Sequence, residues 1–231
     1  MRFSSPLLRG TLLRRYRRSL ADVRLDDGDR ITAHVFSLGS MAGCSEPGRP
    51  VLVSDSGDVT RHHPMTWELI DMNGTWVGVN PTVSRKILRQ AILDGEIRNL
   101  RGYSIQSEAV HGKKKRVDFI LQNMKENCFI NVQGVTWAEK GCAWFPDVAT
   151  EPPRKSLNDL ADIAREGHRA IAFFHVLRGD CKRMKPAAKV DKEYARTLRR
   201  AKRAGVEIRV FKASVSPEEI TLGVPIPCII D

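Results

Sequence analysis

The sequence predicts an α/β (α+β) protein in two parts, a strand-rich domain over residues 1–82 and a mixed sheet flanked by helices over residues 83–231. Three observations predict it. Before Pro81, short apolar runs alternate with Gly, Pro, Ser and Asp clusters, and no clear helix appears. After Pro81, stretches at helical spacing alternate with compact apolar runs. Hydrophobic residues make up 42% of the 231, enough to build a core.

The elements follow in order. Leu7–Leu8 and Leu12–Leu13, followed by Leu20, Val23 and Leu25, suit a strand entering a sheet. Residues 19–25 and 30–36 flank Asp26-Asp27-Gly28-Asp29, which is a hairpin signal. Residues 51–53 and 75–79 supply further short strands, so a small barrel or sandwich is expected. Val83, Ile87, Ala91 and Ile92 then fall at helical spacing, with Lys86 and Arg89 outside and Gly95 as the stop. Residues 116–121 and 128–133 read as strands, and residues 142–145 as a third. Leu157, Leu160, Ala161 and Ala164 mark a second helix, stopped by Gly167. Residues 170–177 are nearly all apolar, as expected of a strand covered on both faces. Asp191 is placed to cap a third helix carrying Tyr194, Leu198 and Ala201, with Gly205 at its end. Residues 206–211 form the last central strand.

Charge points to the partner. Lys and Arg total 38 against 27 Asp and Glu, a formal net charge of +11. Such an excess favours a polyanion, because each phosphate contacted releases counterions. The competing explanation is a basic surface that serves solubility. Arg14, Arg15, Arg17 and Arg18 flank Tyr16, a pattern that fits single-strand binding by a basic groove with aromatic stacking. It fits equally a solvated edge that discourages strand aggregation. Lys113, Lys114, Lys115 and Arg116 run beside Asp118, where a phosphate backbone would pass. The third helix carries Arg196, Arg199, Arg200, Lys202 and Arg203. It loosely resembles a helix-turn-helix, but the strand that follows leaves no recognition helix. Its arginines are placed to touch phosphate without reading sequence.

Other chemistries find little support. The five cysteines are odd in number and form no C-x-x-C pair, so neither a disulfide framework nor a zinc knuckle is indicated. Buried, reduced thiols in a reducing compartment are expected. The histidines show no metal-ligand spacing, and His175, inside an apolar strand, reads as a hydrogen-bonded core residue. Trp67, Trp76, Trp137 and Trp144 read as core or half-buried anchors. No apolar stretch is long enough to cross a membrane. The arginine-rich start shares the composition of transit peptides, yet its leucines suit a strand, and a cytoplasmic protein is expected.

One constellation carries chemistry. Asp118 lies in one apolar strand, and Asn131 and Gln133 share a face of the next because they are two residues apart. Metal-dependent nucleases place a carboxylate on one strand, and a second carboxylate and a lysine on its neighbour. The carboxylates hold Mg²⁺, which activates water and steadies the leaving oxygens. By spacing alone, a satisfied edge strand explains the pattern as well.

The wider sequence resembles the sugar fermentation stimulation (SfsA) family. The matching segments are residues 8–15, Ala33-His34 with Gly39 to Met41, Pro47-Gly48, Glu108 with Gly112, Arg116-x-Asp118-Phe119, Val135-Thr136, Phe145-Pro146-Asp147, Thr150-Glu151, residues 167–170 and residues 204–207. The resemblance implies an N-terminal OB-like β-barrel and a C-terminal PD-(D/E)XK nuclease-like domain. It also implies DNA binding and a role in regulating sugar-utilisation genes.

Departures from the family cluster at the site. Where the family pattern resembles Glu-Val-Lys, this chain has Asn131-Val132-Gln133. Asp118 and Glu108 fit their positions as metal ligands, and Lys155 matches a family lysine. Pro152-Pro153 replaces an Arg-Gly pair, Ser156 a histidine, and residues 37–39 an Asn-Thr-Gly motif. An amide carries no full charge for Mg²⁺, and Gln133 cannot act as a cation. The expectation is a DNA-binding protein with a degenerate site, requiring no cofactor and holding Mg²⁺ weakly if at all. One alternative is a weakly active Mg²⁺-dependent nuclease using Asp118, Glu108 and Lys155. Another is an RNA- or protein-binding module.

Overall fold

Strand β1 (Leu8–Tyr16) pairs antiparallel with both β2 (Leu20–Leu25) and β4 (Pro50–Asp55). In this computed structural model, which describes residues 1–37, 39–58, 60–107 and 117–230, that double pairing starts a closed barrel. β2 pairs with β3 (Arg30–His34), and β4 with β5 (Met65–Asp71). His34 of β3 then meets Thr66 of β5 in parallel and completes the circuit. Closure brings together the two strands that would otherwise be the edges of the ring. Residues alternate in and out along each strand, so Leu12, Val23, Ala33, Val35, Val51 and Val53 all point inward and are fully buried. Each large apolar side chain buried in this way contributes about 1.5–3 kcal/mol. The expected small barrel is therefore present, and its topology is OB-like.

The sequence reading missed β5, the most buried strand of the barrel. Five consecutive residues, Thr66 to Ile70, are buried, so no alternation shows. Glu68 among them reads as a surface residue. It is instead satisfied inside, accepting hydrogen bonds from Ser54 Oγ at 2.9 Å and Asn80 Nδ2 at 3.0 Å.

β6 (Trp76–Gly78) adds to β5 and leads past Pro81 into α1 (Val83–Leu93). The helix buries Val83, Ile87, Leu88, Ala91 and Ile92, with Lys86 and Arg89 exposed, as its spacing predicts. The central sheet runs in the order β14-β12-β9-β8-β7. Its members are β7 (Ser104–Ser107), β8 (Phe119–Gln122), β9 (Asn127–Val135), β12 (Arg169–Val176) and β14 (Glu207–Lys212). β7, β8 and β9 pair antiparallel, whereas β9, β12 and β14 pair in parallel, so the sheet is mixed.

Helices cover both faces. Ile130, Ile171 and Phe173 pack with α1 on one, and Leu52 and Leu69 of the barrel join the same core. Phe129, Ala172 and Phe174 pack on the other with α2 (Glu151–Arg165) and α3 (Lys192–Arg203). Prolines in the first turn of α2 have no intrahelical hydrogen bond to lose, so Pro152-Pro153 opens the helix without breaking it. Asp191 caps α3 as expected, accepting from Tyr194 N–H at 2.8 Å. Gly205, at φ +102°, follows that helix.

The expected strand at residues 142–145 exists as β11 (Cys142–Phe145), but in a separate small sheet with β10 (Ala138–Glu139) and β13 (Arg183–Pro186). A last pair, β15 (Ser214–Val215) and β16 (Ile220–Thr221), lies beyond β14. Residues 1–3 return to it, with Arg2 bridging Glu219 and Phe3 N–H bonded to Glu218 O at 3.1 Å. Among the described residues no helix is long and apolar enough to cross a membrane.

Candidate functional site

Asp118 was expected inside a strand from residue 116, but β8 begins at Phe119. Asp118 is the residue just before it, aligned by its own N–H on Ile130 O at 2.8 Å. Its side chain reaches β9. Oδ2 accepts from Asn131 Nδ2 at 2.9 Å and from the Val132 N–H at 2.7 Å. Asn131 Oδ1 in turn accepts from Gln133 Nε2 at 2.7 Å. Arg85 of α1 approaches the other oxygen, Oδ1, at 3.4 Å. Burial pushes the Asp118 carboxyl up in pKa, against the opposing pull of the Val132 N–H and Arg85. The three residues singled out in the sequence thus form one relay, which Arg85 completes.

The relay borders a cleft of about 520 Å³ between the barrel, α1 and the C-terminal sheet. Trp137, Trp144 and Phe145 line it, together with Pro81, Thr82 and Arg85. Gly134 lets the walls approach, since a Cβ there would fall 2.8 Å from Pro81 Cβ. Thr82 is held from the barrel: its hydroxyl donates to Asn80 Oδ1 at 2.6 Å, and Asn80 donates to the buried Glu68.

The mouth of the cleft is tied across the two halves of the molecule. Asp147 Oδ2 accepts from the Met41 N–H at 2.8 Å, and its carbonyl accepts from Ser40 Oγ at 2.8 Å. Behind this loop, Arg15 donates to the carbonyls of Arg18, Ser37 and Gly39 through Nη2 and of Ser40 through Nη1, at 2.7–3.2 Å.

Comparison with known proteins places this architecture. The description "SfsA N-terminal OB domain" matches residues 13–79, and "Sugar fermentation stimulation protein RE domain" matches residues 82–219. The chain belongs to the sugar fermentation stimulation protein family. Its relatives include the homologue from Pelobacter propionicus, 44% identical over 97% of this chain and 98% of that one. The homologue from Citrifermentans bemidjiense is 42% identical over the full length of both. The fold matches that of SfsA from Pyrococcus furiosus, solved in complex with Ca²⁺, with a TM-score of 0.92 at 22% identity, covering 100% of this chain and 98% of that one.

In this SfsA family member the other predicted site residues are scattered. Lys155 lies in α2 with an exposed side chain and is not part of the cleft wall. Arg14 pairs with Asp22 at 2.7 Å and lies 4.9 Å over the Tyr16 ring, on the outer surface of the barrel. Arg18 is exposed in the β1–β2 turn. Arg15, expected as a nucleic-acid contact, is instead committed to the four carbonyls named above. Arg200 is bonded to Glu193 at 2.8 Å, and Arg203 is exposed near the end of α3 with Arg199 four residues before it. Glu108 and Lys113, Lys114, Lys115 and Arg116 lie outside the described residues. His175 is a core residue, buried and 3.2 Å from Ser84 Oγ, and burial pushes its pKa down to about 4.

Asp118 is the described one of the two carboxylates expected as metal ligands, since Glu108 lies outside the described residues. Among the described residues no group of three or more His, Cys, Asp or Glu side chains converges to hold a metal. Among the described residues that line the cleft, the carboxylates Asp118 and Asp147 are both engaged by protein N–H or O–H donors. Mg²⁺ dehydrates reluctantly and leans on free anionic oxygens. Asn131 offers its N–H to Asp118 and its oxygen to Gln133, which leaves that oxygen already shared.

Proposed function

We propose that this SfsA family member binds DNA and does not cut it. One observation carries the reading: the Asp118 carboxylate, where a nuclease would hold metal, is bonded by Asn131, Val132 and Arg85. The net charge of +11 and the aromatic cleft beside Arg85 support a polyanion as the partner. Binding without cleavage is compatible with the regulation of sugar-utilisation genes that the family resemblance implies. The Pyrococcus furiosus SfsA was solved with Ca²⁺. Here the neutral amide at position 131 stands where an anionic ligand would strengthen such binding, and position 133 lacks the lysine that would steady developing charge.

Two measurements test this. DNA affinity is expected to fall steeply with salt, because phosphate contacts release counterions. Plasmid and single-stranded DNA are expected to survive incubation with Mg²⁺ or Mn²⁺. Cleavage abolished by Asp118→Ala would establish the nuclease alternative instead. Affinity that is flat in salt would favour a protein partner, and a marked preference for RNA would favour an RNA-binding module.

A further inference from the structure

The substituted residues leave a site with its own chemistry. Gln133 lines the cleft, and its carboxamide is fixed by donating one N–H to Asn131 Oδ1. Asn131 is fixed in turn by Asp118. A carboxamide has two N–H donors and an oxygen acceptor, so Gln133 keeps one donor and its acceptor. Beside it stand rings. Trp137 and Trp144 lie with centroids 6.1 Å apart and planes at 37°. Phe145 packs edge-on against Phe174 at 5.7 Å and Tyr194 at 5.3 Å, which anchors this wall to the core. At the rim, Arg85 is 59% exposed, and its contact with Asp118 at 3.4 Å is long for a charge-assisted hydrogen bond. The guanidinium therefore has donors to spare.

An oriented amide, an aromatic wall and a cation thus border one space of about 520 Å³. That is ample for a small ligand, since such sites run about 300–1,000 Å³. An unpaired nucleobase has the matching parts: a flat π-face, an edge of donors and acceptors, and a phosphate attached through the sugar. We propose that the cleft takes an unpaired nucleobase of a single strand, stacked on the tryptophan wall, with its edge on Gln133 and a neighbouring phosphate on Arg85. No metal is needed. One donor beside one acceptor is the pattern that an amide uses for adenine. A base inside a duplex is stacked and cannot enter without leaving the helix. The inference rests on the DNA-binding reading above and narrows it to unpaired strands.

The test uses the full chain in EDTA, with a labelled oligo-dA strand and a blunt duplex as probes. The strand is expected to bind about tenfold tighter than the duplex and to quench tryptophan fluorescence, because base–aromatic stacking contributes about 1–3 kcal/mol per base. Trp144→Leu and Gln133→Leu should each weaken strand binding about tenfold and weaken duplex binding by less. Circular dichroism checks that both variants fold, and Gln133→Leu decides the matter if Trp144→Leu does not. Equal affinity for strand and duplex overturns the proposal, as does a folded Gln133→Leu variant that binds the strand like the parent. Absence of salt-dependent binding to either probe would instead overturn the DNA-binding reading beneath it.

Discussion

A β-carbon on Gly39 would fall 2.4 Å from Oδ1 of Asp147, so the barrel loop and the C-terminal half meet where only glycine leaves room. The same carboxylate bonds the Met41 N–H, so it cannot retreat without giving up the tie between the two halves. Gly39→Ala is expected to destabilise the protein by about 1–3 kcal/mol, the usual cost of overpacking. Asp147→Ala should also destabilise it, and Gly39→Ala should then cost much less in the Asp147→Ala background. Urea unfolding of the two single variants and the double variant measures this coupling. Full additivity would show that the two residues do not oppose each other.

Arg15 and Arg18 lie three residues apart but should behave differently. Arg15 serves four backbone carbonyls, and Arg15→Ala should cost about 2 kcal/mol or more, because hydrogen bonds from charged donors are worth about 1.5–3 kcal/mol. Arg18→Ala should leave the melting temperature nearly unchanged and reduce the salt slope of DNA binding by about one ion. Thermal unfolding and binding at several salt concentrations separate the two.

Restoring the family pattern should restore a metal dependence. In the parent chain, Mn²⁺ is expected to leave the melting temperature unchanged. The double variant Asn131→Glu, Gln133→Lys brings a second carboxylate to Asp118, and like charges at close range destabilise it in EDTA. Added Mn²⁺ should recover about 2.7 kcal/mol at a hundredfold excess over its Kd. Melting curves with and without metal check this, and a metal-indifferent variant would contradict the assignment of residue 131 to the ligand position.

The pair Arg178 and Asp180 supplies a pH signature. Arg178 is buried and grips Asp180 through two contacts of 2.7 Å, which hold the carboxyl below its usual pKa. A carboxyl lowered in the folded state stabilises it above the unfolded pKa, about 3.9, and this contribution is lost as pH falls through the folded value. Asp180→Asn should cost about 1–2 kcal/mol at neutral pH, less than a fully buried pair because Asp180 is 37% exposed. The difference between variant and parent should shrink as acid protonates Asp180, which urea unfolding from pH 7 downward will report.

Local physics made much of this legible in the sequence. Side chains two apart share a strand face, which put Asn131 with Gln133, and antiparallel pairing brought Asp118 to them. Helix spacing located α1, α2 and α3 because each buries a single face. What escaped depended on distant partners. Arg85 joins the site from 33 positions before Asp118. Arg15 reads as a free cation because its carbonyl partners have no side-chain signature. Trp137 and Trp144 read as anchors, and they are half-buried, but the cleft they wall appears only when β11 folds beside β13. Strand β5 escaped because burial on both faces erases the alternation that would announce it.

Residues 1–3 are fastened to the β15–β16 hairpin, with the Met1 amine bonded to a carbonyl 219 positions later. Leu52 and Leu69 likewise pack into a core completed by Ile171, Phe173 and Ile220. These partners lie far along the chain from the barrel. The barrel's inner core is built from its own strands, whereas its outward leucines and the lead-in to its first strand depend on the β15–β16 hairpin. The barrel's outward leucines therefore have their full cover only once the β15–β16 hairpin is in place.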